Sequence, residues 1–269
     1  MFEEIIVIIG MPRSGTSWLS QIFDSSPQVR FRLSPLFSYE FKNYLDEASS
    51  KEEWEHVFRG AYQSNNDFMN QTERREAGHY PVFERKDSNP KYLVIKDTRF
   101  HNLTERMFVL FDNLKMVGIV RHPCGAIHSW LTAQGEFPQD ADPMEEWRTG
   151  NCRKTGYGEF WGFEDWKKVT QHHLRLERNT PDRFIIQRYE DLVENPIGET
   201  RKLFRFFGLR YTKQTEAFLK RSQKFHADNE YAVFKSPAVR DRWCTELQPE
   251  IQQAIIEDIK DTDLERFLG

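Results

Sequence analysis

The stretch Ile5-Ile6-Val7-Ile8-Ile9-Gly10-Met11-Pro12-Arg13-Ser14-Gly15-Thr16-Ser17-Trp18 decides how this 269-residue chain is read. Five consecutive β-branched residues predict a strand buried on both faces, as a parallel sheet requires. Two glycines five apart then turn the chain. Beyond them Trp18, Leu19, Ile22 and Phe23 recur at helical spacing until Ser25-Ser26-Pro27 ends the helix. In a loop placed between a buried strand and a helix start, backbone N–H groups converge on an anion and the helix adds partial positive charge. The hydroxyls of Ser14, Thr16 and Ser17 add donors, so a phosphate fits. The nucleotide-triphosphatase form of this loop needs Lys directly after the second glycine and a hydroxyl next to it for magnesium. Here Thr16 holds the lysine position, and the near cation is Arg13.

The same alternation recurs further on. Tyr92-Leu93-Val94-Ile95 follows the turn signal Asp87-Ser88-Asn89-Pro90 and precedes Leu103, Met107, Leu110 and Phe111. Met116-Val117-Gly118-Ile119-Val120 runs into Arg121-His122-Pro123, where the proline suits a first helical turn that carries on to Ile127, Trp130 and Leu131. Phe184-Ile185-Ile186 makes a fourth strand. Leu203 to Phe207, Phe218-Leu219 and a final segment opening at Pro249 read as helices. Strands alternating with helices predict an α/β, P-loop-like three-layer fold, a central parallel sheet flanked by helices with ligands at the strands' carboxyl ends. No linker or repeat divides the chain, so residues 1–269 read as one domain, with a polar, aromatic-studded helical insertion at about 31–84.

Composition bounds the partners. The net charge of −4, with acids and bases interspersed, gives no field of the kind that gathers nucleic acid. No apolar run approaches the roughly 20 residues of a membrane span. Cys124, Cys152 and Cys244 lack the spacing of a zinc site and the density of a disulfide framework. The N-terminus lacks the basic start and cleavage site of a secretory signal. The expectation is a cytoplasmic protein without nucleic-acid, membrane or metal partners.

Pro12-Arg13-Ser14-Gly15-Thr16-Ser17-Trp18 closely resembles the 5′-phosphosulfate loop of sulfotransferases that use PAPS, 3′-phosphoadenosine 5′-phosphosulfate. The resemblance implies that Arg13 contacts the sulfuryl group and bridging oxygen, that Ser14, Gly15, Thr16 and Ser17 hold the 5′-phosphate, and that Trp18 stacks on adenine. Val120-Arg121-His122-Pro123 through His128-Ser129 resembles the same family's 3′-phosphate motif and implies that Arg121 and Ser129 grip that phosphate. Further likeness covers Lys96-Asp97, Tyr189-Glu190-Asp191-Leu192, and Lys235 with Trp243, and the loop spacing is nearest to the tyrosylprotein branch. Lys96 then joins Arg13 at the sulfuryl group, and Lys235 stands as a C-terminal donor-site lysine. Tyr189 suits the core as well as the ligand.

Sulfuryl transfer needs in-line placement, cations at the bridging oxygen and a general base for the acceptor. Arg13 and Lys96 supply the charge, and with them no metal is required. The base departs from the family pattern. The stretch Phe31 to Leu36 has no carboxylate where some members carry Glu, and Thr98 stands where cytosolic members carry His. Glu40, His79, Glu84, Asp97 and His101 remain, with His101 and Asp97 ahead because they follow the donor-side strand. The aromatic segments Phe31 to Tyr44 and Gly156 to Trp166 would line an acceptor pocket, which favours a small molecule. A small-molecule kinase shares sheet and loop, but Thr16 speaks against it; a nucleotide-binding module without activity would follow from the missing base.

Overall fold

A computed structural model of the protein describes residues 2–224, 233 and 240–269. Five strands, β1 (Glu4–Ile9), β2 (Val29–Leu33), β3 (Tyr92–Asp97), β4 (Leu114–Val120) and β5 (Phe184–Arg188), form one sheet in the order β2-β3-β1-β4-β5. All four pairings are parallel. The helices are α1 (Thr16–Asp24), α2 (Lys51–Gln63), α3 (Asp67–Asn70), α4 (Thr72–Glu76), α5 (Thr104–Leu110), α6 (Pro123–Leu131), α7 (Pro143–Thr149), α8 (Gly162–Asn179), α9 (Tyr189–Glu194), α10 (Pro196–Phe207), α11 (Lys213–Lys224), α12 (Trp243–Glu246) and α13 (Pro249–Ile259). Helices α6 and α13 open on the prolines expected there.

β1 shows why the sheet lies in the middle of three layers. Its side chains alternate between faces, so Ile5, Val7 and Ile9 enter one apolar cluster with α2, α5, α6 and α8, whereas Ile6 and Ile8 enter another with α1, α10 and α11. Pairing of Ile9 with Asp97 and with Gly118, and of Val120 with Arg188, brings the carboxyl ends of four strands to one edge. Among the described residues no helix is long and apolar enough to cross a membrane.

The expected insertion at about 31–84 starts later than its sequence suggests, because residues 31–33 belong to strand β2. Two arginines disguise that strand. Arg32 is buried and donates to the carbonyl oxygens of Ala61, Tyr62 and Ser64 at 2.6, 3.1 and 2.8 Å, while Arg30 donates to Tyr62 at 3.1 Å. Charges that read as solvent-facing thus cap the carbonyl end of α2, where orphan acceptors and the helix dipole both favour a cation. Burial, with the neighbouring Arg30 charge, pushes Arg32 down to about 10. The rest of the segment, α2 to α4, is tied to the end of α1 by Asp24, which pairs with Arg75 at 2.8 Å and Lys86 at 2.6 Å.

Candidate active site

The turn between β1 and α1 is shaped by its glycines. Gly15 has φ 90°, the left-handed region open to glycine, and a Cβ there would stand 2.5 Å from the Tyr189 ring. A Cβ on Gly10 would meet the Ile119 carbonyl oxygen at 2.6 Å, so the loop crosses tightly over β4. Arg13 also has a positive φ, 68°. The start of α1 has no capping side chain, and the buried Ser14 hydroxyl has no hydrogen-bond partner among the described residues. Buried polar groups are normally satisfied, so an orphan hydroxyl beside an uncapped helix start fits an anion.

The residues expected at the second phosphate lie against this loop. Arg121, at the end of β4, donates from Nη1 to the Arg13 carbonyl oxygen at 3.0 Å, and its own carbonyl accepts from Trp166 Nε1 at 3.1 Å. Arg13 in turn donates from Nε to Ser129 Oγ at 3.2 Å. Arg121 is buried, lies over the Tyr189 ring with its guanidinium carbon 4.8 Å from the centroid, and has an Nε without a hydrogen-bond partner among the described residues. Arg13, Ser14, Gly15, Arg121, Ser129 and Tyr189 therefore form one contiguous cluster. Trp18 borders it, its indole held by a 3.0 Å bond to Ser222 of α11. Trp243 stacks on His122 at 4.2 Å. Lys235 lies outside the described residues.

Lys96 and Asp97 are neighbours in sequence, but strand alternation sends them to opposite faces of β3. Burial pushes the Lys96 ammonium down to about 8; Asp97 and Glu136 raise it, and Arg74 and Arg13 lower it further. Asp97 lines an apolar cavity with Ile9, Leu36, Trp54 and Phe100. Burial pushes its carboxyl up to about 6 against the pull of its donors. Those donors, Thr98 N at 2.8 Å, Arg99 N at 3.0 Å and Ser34 Oγ at 3.3 Å, all reach Oδ1.

The remaining base candidates scatter. His101 is buried at the edge of Phe160, 4.9 Å between centroids, and near His173 at 5.9 Å. Burial drives its imidazole down to about 3, which keeps it neutral but inaccessible. Glu40 is exposed and accepts from Ser64. Of the aromatic stretches expected around an acceptor, Pro35 and Leu36 reach the Asp97 cavity, whereas Tyr157 packs behind Phe100. Nothing in the sequence points to Glu136, which lies in the connection after α6 and comes within 3.8 Å of Arg13 Nη1. Its spacing from the loop motif carries no pattern; only folding brings it there.

The loop after β1 and the Arg121–Ser129 pair thus lie side by side, joined through Arg13. Comparison with known proteins points the same way. The sequence profile described as the sulfotransferase family matches residues 5–213. The chain is similar to carbohydrate sulfotransferase 6 of Homo sapiens, 27% identical over 144 residues that make up 48% of this chain and 34% of that protein. It therefore spans about a third of that relative's length. A putative protein-tyrosine sulfotransferase of Caenorhabditis briggsae is 22% identical over 220 residues, 79% of this chain and 68% of that one. Among solved structures, mouse sulfotransferase SULT7A1 complexed with PAP aligns over 100% of this chain and 89% of its own at TM-score 0.57 and 15% identity. The sulfotransferase domain of the Synechococcus PCC 7002 olefin synthase aligns over 97% and 96% at TM-score 0.55 and 17% identity. These structural likenesses show a shared fold, and the profile match over most of its length shows that the chain belongs to the sulfotransferase family.

Proposed function

We propose that residues 1–269 act as a single sulfotransferase domain that moves the sulfuryl group of PAPS to a hydroxyl or amine of a small-molecule acceptor and releases PAP. One observation carries this reading: the loop after β1 and the Arg121–Ser129 pair are locked together through Arg13, so two anion sites face one ligand. The residues fit the nucleotide. Ser14 Oγ and Arg121 Nε are buried polar atoms that lack partners among the described residues, each suited to a phosphate oxygen. Ser14, Gly15, Thr16 and Ser17 would hold the 5′-phosphate, Arg121 and Ser129 the 3′-phosphate, and Trp18 the adenine. Tyr189 and Lys235 complete the donor site.

PAPS supplies the sulfuryl group and a phosphate leaving group. This chain's own contribution is charge and position. Arg13, held by Ser129, and the buried Lys96 stabilise the charge that grows on the bridging oxygen, electrostatics of the kind from which most such rate enhancement comes. They take the role of a metal in phosphoryl transfer, so turnover is expected to persist in a chelator. The three cysteines are free, in keeping with the reducing cytoplasm as the place of action. A PAPS turnover assay against a panel of alcohols, phenols, amines and sugars tests the reading: PAP must form with at least one class, and no PAP from any member overturns it.

A further inference from the structure

The family's usual general bases are missing here, and the fold brings a different carboxylate to the reacting end of the cleft. We propose that Glu136 takes the proton of the incoming acceptor, an inference that rests on the donor reading above. Glu136 sits in a turn after α6 in which its own N–H and that of Phe137 both donate to Ala133 O at 2.9 Å. Phe137 anchors the turn by packing edge-on against Trp130, 5.3 Å between centroids. The carboxylate is thereby held over the loop, with Oε1 3.8 Å from Arg13 Nη1. That distance makes a loose ion pair and not a hydrogen bond. Oε2 is buried and has no hydrogen-bond partner among the described residues. Lys96 also lies in its field.

Asp97, the other carboxylate near Lys96, differs in every respect that matters to a base. Three donors occupy its Oδ1, and it faces the apolar cavity on the other side of β3. Glu136 keeps an oxygen that has no partner among the described residues, beside the guanidinium assigned to the sulfuryl group. In the transfer, the acceptor oxygen forms a bond to sulfur while the bond from sulfur to the bridging oxygen breaks, its electron pair leaving with PAP. The acceptor's proton passes to Glu136 Oε2 and from there to water after product release. Arg13 then has two duties: it stabilises the leaving oxygen and keeps the Glu136 carboxylate aimed.

The proposal is tested with Glu136→Gln and Glu136→Asp beside the wild-type chain. PAP affinity is read by calorimetry, and PAP formation from PAPS is followed with the acceptor panel across acid and neutral pH. A lost general base lowers turnover by about 100-fold or more. Glu136→Gln is expected to show that loss while binding PAP as tightly as wild type or tighter, because a negative charge beside the anion site is gone. The wild-type fall in rate toward acid pH should vanish with it, and Glu136→Asp should keep a measurable part of the rate. Glu136→Gln turning over at the wild-type rate or faster would leave the carboxylate a mere counter-ion and overturn the proposal. So would loss of PAP binding in Glu136→Gln, which would make it a support of the loop. A wild-type chain that binds PAP but forms none from PAPS also refutes it, whereas a wild-type chain that does not bind PAP defeats the donor reading itself.

Discussion

Arg121 donates to the backbone carbonyl oxygen of Arg13 across 3.0 Å, so the arginine that ends β4 holds the loop that follows β1. Arg13 answers with its side chain on Ser129, eight residues beyond Arg121. Two motifs more than a hundred residues apart in sequence are thereby one mechanical unit, and disturbing either should be felt at the other.

Arg121→Ala should weaken PAP binding far more than AMP binding. Losing a charge-assisted bond to the 3′-phosphate costs about 1.5–3 kcal/mol, roughly 10- to 100-fold in affinity. AMP lacks that phosphate and should lose only what comes from the loosened Arg13 carbonyl. Calorimetric titration of both nucleotides checks this, and equal losses would remove Arg121 from the 3′-phosphate site.

Gly15→Ala puts a Cβ 2.5 Å from the Tyr189 ring at a φ of 90°. The strained backbone alone costs about 1–3 kcal/mol. The urea midpoint should fall, and PAP binding should fall with it. Adding Tyr189→Ala removes the clash but not the strain, so the double variant should recover part of the stability. No recovery would mean that the ring yields without cost.

If Lys96 serves the donor as proposed, PAP binding should depend on pH. Burial pushes the Lys96 ammonium down to about 8. Anions favour the charged form, so PAP affinity should be full below that value and decline as pH rises through it. Lys96→Arg, whose side chain stays protonated, should bind PAP without that bend. A flat wild-type profile would place Lys96 away from the nucleotide.

His101 and His173 make the fold sensitive to acid. Burial holds His101 at about 3 and His173 well below the ordinary value of 6.5. Below that value the unfolded chain takes up protons that the folded core refuses. Stability therefore falls as pH drops from about 6.5 toward 3, by up to about 1.4 kcal/mol per pH unit for each ring. Asp97, with its carboxyl raised to about 6, works in the opposite direction. Comparing Tm at neutral and mildly acid pH in His101→Phe and His173→Phe isolates the histidine part; variants as acid-sensitive as wild type would contradict it.

Local patterns were legible in the sequence, and what depends on distant partners was not. β1, β3, β4 and β5 stand where uninterrupted apolar runs place them, because strands covered on both faces need no polar residues. β2 escapes the same reading because Arg30 and Arg32 look like surface charges until α2 presents its carbonyl oxygens to them. Arg13, Arg121 and Ser129 stand out through their likeness to the sulfotransferase donor motifs, since an Arg and a Ser eight residues apart are a weak signal alone. Lys96 and Asp97 announce themselves too, but a strand's two-residue period separates a pair that looks like a unit. His101 reads as a base from its position four residues after β3, yet it turns into the core against Phe160. Glu136 has no signal in the chain at all, since its nearness to Arg13 is a product of how α6 packs.

Titration of PAP into the wild-type chain without added metal, set against ATP with magnesium, tests the shared two-anion cleft most directly. Saturable PAP binding at one site per chain, markedly tighter than that of ATP, is the expected result. Tight magnesium-dependent ATP binding with no heat from PAP would contradict it and turn the loop after β1 back into a kinase's.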